Sequence, residues 1–328
     1  METLTSEILG YRPICGVWRR LAALFIDSIA LGLLGMCLGT IFGQQFALLG
    51  ALGPLVGFSI SACYFGIMNS YYCNGQSIGK KLLKICVVTE DGELISMKRS
   101  IVRAVILSAI VCKGLSFATV PIIGQLIDWI ILMIFFGTVY FYIFNKKTRQ
   151  GIHDIICGTY VYNVTALNTP ISATVSKMHY IICSVVLIVF TLVSYMTMAA
   201  SQQNELFSIY KELTKLDGVY AAKVDYMTAK HVFNIKTGVV DGKESTRLTA
   251  SVYVHNIPIN AEELKDKVAR VVLENYPAPQ NIQTVMVNVY YGYNIGIASN
   301  YAVSWSSAPI QKWKEKLHIF LYPHVFHS

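Results

Sequence analysis

An acid inside a long apolar run constrains this chain more than any other feature. In Trp18-Arg19-Arg20-Leu21-Ala22-Ala23-Leu24-Phe25-Ile26-Asp27, two arginines stand at the mouth of the run and Asp27 lies within it. Asp27 is about 10 Å beyond Arg20 if the run is helical. In a bilayer, a carboxylate at that depth costs at least ~2.5 kcal/mol. It must be compensated or protonated. Arg20 and Asp27 share a helix face, but helical side chains lean towards the N-terminus. Arg20 then leans outward to the headgroups as a cytoplasmic edge anchor, and Asp27 cannot reach back to it. A partner for Asp27 has to come from another helix, and Arg103 is the expected one. The alternative is that Asp27 holds a proton or a cation, its charged form disfavoured by burial.

Composition agrees with a membrane setting. Of the 328 residues, 54% are hydrophobic and 14% charged, against about 25% charged in soluble domains. The run after Arg20 continues without a short apolar core and cleavage site, so it is expected to be a retained first span. The eight cysteines all precede residue 184, and none has C-x-x-C spacing. Zinc, redox-motif and other cofactor or metal readings therefore gain no support. The cysteine-free remainder is compatible with an oxidising compartment.

Spans are expected at about 21–43 and 46–69, joined tightly at Gln44-Gln45. Gly35, Gly39 and Gly43, and then Gly53, Gly57 and Ser61, recur every fourth residue. Such stripes let helix backbones approach, and the tight turn favours packing one on the other. Gly75-Gln76-Ser77-Ile78-Gly79-Lys80-Lys81 is one residue short of a phosphate loop and lacks its Ser or Thr. Lys80, Lys81 and Lys84 are expected to meet anionic headgroups. Asp91-Gly92 between short apolar runs predicts a hairpin, and Ser96 an N-cap for a helix from about Met97.

Residues 99–144 carry Arg103, Lys113 and Asp128 in apolar sequence. They are too long for one crossing of a ~30 Å hydrocarbon core. Two crossings with a turn at Pro121–Gly124, or an interfacial helix and one crossing, both fit. Twelve of the fourteen Lys and Arg in residues 1–178 fall in three patches. Placing all three on the cytoplasmic side requires two crossings here. Lys113 must then snorkel or pair with an acid. Asp128 is expected in the first turn of its helix, where negative charge is favourable. A further span at about 179–200 brings the total to about five, with the N-terminus cytoplasmic and residues 201–328 extracytoplasmic.

Residues 201–328 carry thirteen basic and eleven acidic residues and no run long enough to span. Strands are expected at 219–226, 230–240, 246–255, 282–292 and 297–305. Helices are expected at 205–216 and 261–275, with a last short one near Trp313 and Leu317. The fold class is thus a membrane all-α helical bundle of about five transmembrane helices followed by a soluble α+β domain. The division is 1–165 for the bundle, 166–200 for a linker and final span, and 201–328 for the α+β domain.

The run Gly16-Val17-Trp18-Arg19-Arg20-Leu21-Ala22-Ala23…Asp27 resembles the opening of the RDD family of bacterial membrane proteins. Gly75–Leu83, Asp91-Gly92 with Arg103, and Gln150-Gly151-Ile152-His153-Asp154…Gly158-Thr159-Tyr160-Val161 resemble its later motifs, in order. The resemblance covers about residues 11–165. It implies that Arg20, Asp27 and Asp154 are the family's name-giving residues. It also implies a transport role, including cation/proton exchange in some members.

His153-Asp154 is expected to hydrogen-bond at the membrane edge rather than bind metal, since adjacent side chains diverge on a helix. His318, His324 and His327 are too irregularly spaced to favour a metal site. Tyr290, Tyr291, Tyr293, Tyr301 and Trp305 are expected to pack core and edge. No nucleophile elbow, paired carboxylates or phosphate loop supports an enzyme. The basic patches flank spans, so the expected partners are the bilayer and anionic lipid headgroups, not nucleic acid. Two functions follow. One is a transport or exchange component, which with about five spans implies a homo-oligomer. The other is an anchored binding, assembly or sensor protein whose residues 201–328 meet an envelope partner.

Overall fold

The computed structural model describes residues 14–111, 123–166, 174–202, 205–229, 232–233, 240–241, 245–256, 260–276 and 282–319. The chain forms two compact units. Unit 1 comprises Met1–Gly43, Leu52–Tyr195 and Asn294–Ser299; unit 2 comprises Gln44–Ala51, Met196–Tyr293 and Asn300–Ser328.

Helix α1 runs Val17–Leu49, with non-helical dihedrals at Phe42 marking a kink. The expected turn at Gln44-Gln45 is therefore absent: both glutamines are helical. The chain turns through the 3-10 segment Gly50–Leu52, where Gly50 has φ 51°, and α2 follows at Pro54–Met68 with Pro54 opening it. Proline is pre-shaped for a first helical position and loses no needed N–H there, while glycine accepts the left-handed turn before it. The two glycine stripes also differ from expectation. Within unit 1, Gly35 and Gly57 face residues 295–298; a Cβ on Gly57 would come 1.9 Å from the Ile295 carbonyl oxygen.

After α2, the short helix α3 (Ile78–Leu82) leads into strand β1 (Ile85–Val88), whose four residues are all buried. The Asp91-Gly92 turn forms, with Gly92 at φ 80° and Thr89 N–H donating to the Glu93 carbonyl at 2.8 Å. Its hairpin is only one bridge, Val88 to Leu94. The main partner of β1 is distant: antiparallel β2 (Tyr160–Asn163), in register from Ile85–Asn163 to Val88–Tyr160. Between them come α4 (Met97–Val111), α5 (Ile123–Phe144) and α6 (Ile152–Cys157). Helix α4 packs on α2, with Gly66 meeting Ile101 and Ser100 Oγ donating to the Phe65 carbonyl at 3.4 Å. Helix α7 (Lys177–Gln202) follows.

Among the described residues two helical stretches are long and apolar enough to cross a membrane, Val17–Leu52 and Lys177–Met196. Pro54–Met68 and Trp129–Phe144 are apolar but shorter. The N-terminal region is thus helical with two candidate spans. Lys113 and the proposed turn at Pro121-Ile122 lie outside the described residues.

Unit 2 contains a four-stranded sheet in the order β3-β6-β7-β8, with β3 at Val219–Ala229, β6 at Ser245–Val254, β7 at Ile282–Asn294 and β8 at Ser299–Pro309. A separate pair joins β4 (Val232–Phe233) and β5 (Val240–Asp241). Strand β3 pairs antiparallel with β6, and β6 pairs parallel with β7. A parallel pair needs a crossover, supplied by the helix α9 (Ala261–Asn275), which Asn260 caps through Glu263 N–H at 3.2 Å. Helices α8 (Glu205–Leu213), α9 and α10 (Ile310–Leu317) contribute Ile209, Leu213, Val268, Val272, Trp313 and Leu317 to one core with the sheet. The C-terminal region therefore has the expected α+β class, with Asn294–Ser299 assigned to unit 1. The tyrosines pack along the sheet: Tyr253 stacks on Tyr290 at 4.9 Å, and both meet Tyr301 edge-on.

Candidate functional site

The first half of the chain brings five charged residues, Arg20, Asp27, Lys80, Arg103 and Asp154, into one buried cluster built from four separate segments. Two acids anchor it, and each is held differently.

Asp27 is 0% exposed and faces the N-terminus of α3. It accepts from Ser77 Oγ at 2.6 Å, Gly79 N–H at 2.8 Å and Tyr64 Oη at 2.7 Å. A carboxylate at a helix N-terminus satisfies amide donors that lack partners within the helix. The approach is close: a Cβ on Gly79 would stand 2.1 Å from the Ala23 carbonyl oxygen. Only glycine lets α3 lie this near α1. The segment resembling a phosphate loop thus offers its amide to a carboxylate of its own chain.

Asp154 sits on α6, also at 0% exposure. Arg103 reaches it with Nε and Nη2, each 2.8 Å from Oδ1. Arg20 Nη1 lies 3.5 Å from Oδ2, and Thr159 Oγ1 donates to Oδ1 at 3.1 Å. Arg20 also donates to the carbonyls of Arg149 and Val161. Burial opposes the charged form of Asp154, but Arg103, His153 and Arg20 overcome it and hold the acid well below the usual carboxylate range. Gln150 Nε2 donates to the Thr159 carbonyl at 2.9 Å, closing the loop around α6.

Several expectations are corrected here. Arg103 pairs with Asp154, not Asp27, whose donors in the described structure are Tyr64 on α2, the α3 N-cap Ser77 and Gly79 on α3. Arg20 does not lean out to headgroups; it is 6% exposed and turned into the cluster by the β2 carbonyl and Asp154. Lys80 does not meet lipid either. It is 8% exposed, donating to Asn69 Oδ1 at 2.7 Å and Ser77 Oγ at 3.4 Å. The expectation that Arg20 and Asp27 do not pair directly agrees with the geometry. His153 is buried with Nε2 3.6 Å from Asp154 Oδ2, beyond hydrogen-bond reach, and neither ring nitrogen has a hydrogen-bond partner among the described residues, so the hydrogen bonding expected of the pair is made by Asp154 alone. Asp128 is the sixth residue of α5 and so lies beyond the first turn that would have favoured it. Among the described residues no cluster of His, Cys, Asp and Glu is arranged to hold a metal ion.

Tyr64, Ser77 and Gly79 escaped the sequence reading as site residues. The available signal was Ser77 and Gly79 flanking the start of a short helix in a segment too short for phosphate.

Burial lowers the His153 pKa from 6.5 to about 4, with the arginines and Lys80 adding to the effect against Asp154. The unfolded chain then binds a proton that the folded chain refuses between those values. Stability should fall as pH drops from about 6.5 to about 4, by up to about 3 kcal/mol. Thermal midpoints of the detergent-solubilised protein across that window check this. His153→Gln should flatten the slope.

Residues 14–158 match the family model of the RDD family. No curated protein and no solved structure matches the chain.

Proposed function

We propose that the RDD-family region, residues 14–158, acts as a charge-locked membrane scaffold, and that residues 201–328 are the module it presents to a partner in the cell envelope. The observation that supports this is the saturation of both acids. Asp27 accepts three hydrogen bonds, and Asp154 is engaged by two arginines and Thr159. Neither offers an open carboxylate of the kind a transported cation would use. Charges filled in this way fix how segments pack rather than release a ligand. In this reading the protein is a multi-pass protein of the cell membrane with a cytoplasmic N-terminus and an extracytoplasmic C-terminal domain. The exposed Arg19, Lys81 and Lys84 lie on the cytoplasmic side, next to anionic headgroups.

Transport, including cation/proton exchange by a homo-oligomer, is the second reading. Lys80 is what favours it. Burial, with Arg103 beside it, lowers this lysine to about 7, against the pull of Asp27 and Asp154. Such a group exchanges its proton near neutrality.

Asp27→Asn separates the two. The scaffold reading expects lower abundance and a lower thermal midpoint, since a charge-assisted hydrogen bond contributes about 1.5–3 kcal/mol. Wild-type abundance and midpoint with a lost cation flux in liposomes would instead establish ion handling.

A further inference from the structure

We propose that the small cavity bounded by Arg20, Lys80, Arg103, Tyr142 and His153 is a binding site for one monatomic anion of the chloride class. The cavity measures about 30 Å³, and its remaining wall includes Leu21, Leu24, Leu107 and Val161. That is room for one or two water-sized bodies.

Charge and hydrogen bonding both select the anion. The lining includes three cations, Arg20, Lys80 and Arg103, against one acid, Asp27; Asp154 behind it is the only other acid in the cluster. Both acids already accept several donors, while the bases retain donors to spare. Arg20 Nε and Arg103 Nη1 are buried without a hydrogen-bond partner among the described residues. Their side chains are 4% and 3% exposed. A buried guanidinium N–H left unpaired carries a desolvation penalty. The apolar wall strengthens the attraction of a charge placed there. A cation would meet the opposite field, with a ring nitrogen of His153 as its free acceptor against two unpaired guanidinium donors. Water would satisfy donors but leave the excess positive charge.

Lys80 makes the site sensitive to pH. The charged and titratable groups around it are Asp27 and Arg20 on α1, Arg103 on α4, His153 and Asp154 on α6, and Cys86 on β1. Losing the Lys80 proton removes the excess charge while both acid networks stay in place.

The test uses the full chain in detergent, with potassium chloride replacing potassium gluconate at constant ionic strength. The expected result is a saturable rise in thermal midpoint with chloride, accompanied by broadening of the ³⁵Cl resonance. If only the Lys80-protonated form binds, the half-saturating concentration should rise about tenfold from about pH 6 to about pH 8. Lys80→Met should abolish that pH dependence and weaken binding; should the variant not fold, the wild-type pH series and bromide anomalous scattering at the cavity still decide. Equal midpoints in chloride and gluconate at every pH, or a cavity holding only water in crystals grown with bromide, would overturn the proposal. It does not depend on the scaffold reading: that reading stands or falls on Asp27→Asn, measured in gluconate alone.

Discussion

Asp154→Ala is expected to remove most of the folded protein. The substitution leaves Arg103 and Arg20 buried with their shared counter-charge gone. Removing one partner of a buried ion pair costs about 3–5 kcal/mol, comparable to much of a protein's net stability. The cost lies in the orphaned charges more than in the lost attraction. It follows that replacing both Asp154 and Arg103, by Leu and Met, should be less damaging than the two single losses added together. Thermal midpoints of the two singles and the double measure this coupling. A double variant as unstable as the sum of the singles would mean that the two side chains act independently.

Gly79→Ala should rank next. The added methyl would meet the Ala23 carbonyl oxygen at 2.1 Å, its carbon at 2.8 Å and its Cα at 3.0 Å. These are backbone atoms of a helix, so the neighbour cannot rotate away. Helix α3 must move instead, and the Gly79 N–H then leaves Asp27. Overpacking and the lost charge-assisted bond together predict a loss of about 3–5 kcal/mol. Gly16→Ala is the control, since a Cβ there meets nothing within 4 Å. Similar midpoints for the two variants would show that α3 does not bear on α1 as described.

Several of these features were legible in the sequence because they rest on local chemistry. The lean of helical side chains already separates Arg20 from Asp27. Alternation and turn residues place strands close to β3, β6, β7 and β8, and Asn260 marks the start of α9. What the sequence concealed were choices made between segments. Arg103 had two acids available, and it meets Asp154 while Tyr64, Ser77 and Gly79 occupy Asp27. Lys80 resembles its neighbours Lys81 and Lys84 in a polar loop, yet it alone is drawn in by Asn69 and Ser77. The glutamine pair at 44–45 imitates a turn because polar residues interrupt an apolar run. Glutamine is nevertheless a good helix former, and the real break is written in Gly50 and Pro54. The Asp91-Gly92 hairpin signal was correct about the turn but silent on the remote strand that β1 prefers.

The long reach from Arg20 to Asp154 has a consequence for biosynthesis. Asp27 meets its partners once residues 64, 77 and 79 have emerged. Arg20 must wait for residues 149, 154 and 161. At a synthesis rate of ~5–20 residues per second, the stretch from residue 20 to residue 161 takes roughly 7–28 s. During it the nascent chain carries an unmatched arginine in the first turn of its first long apolar helix. The cluster therefore completes in two stages, and chains ending before Asp154 should be left as substrates for membrane proteases. The lock that holds the finished protein together thereby also inspects whether its helical region has been made in full.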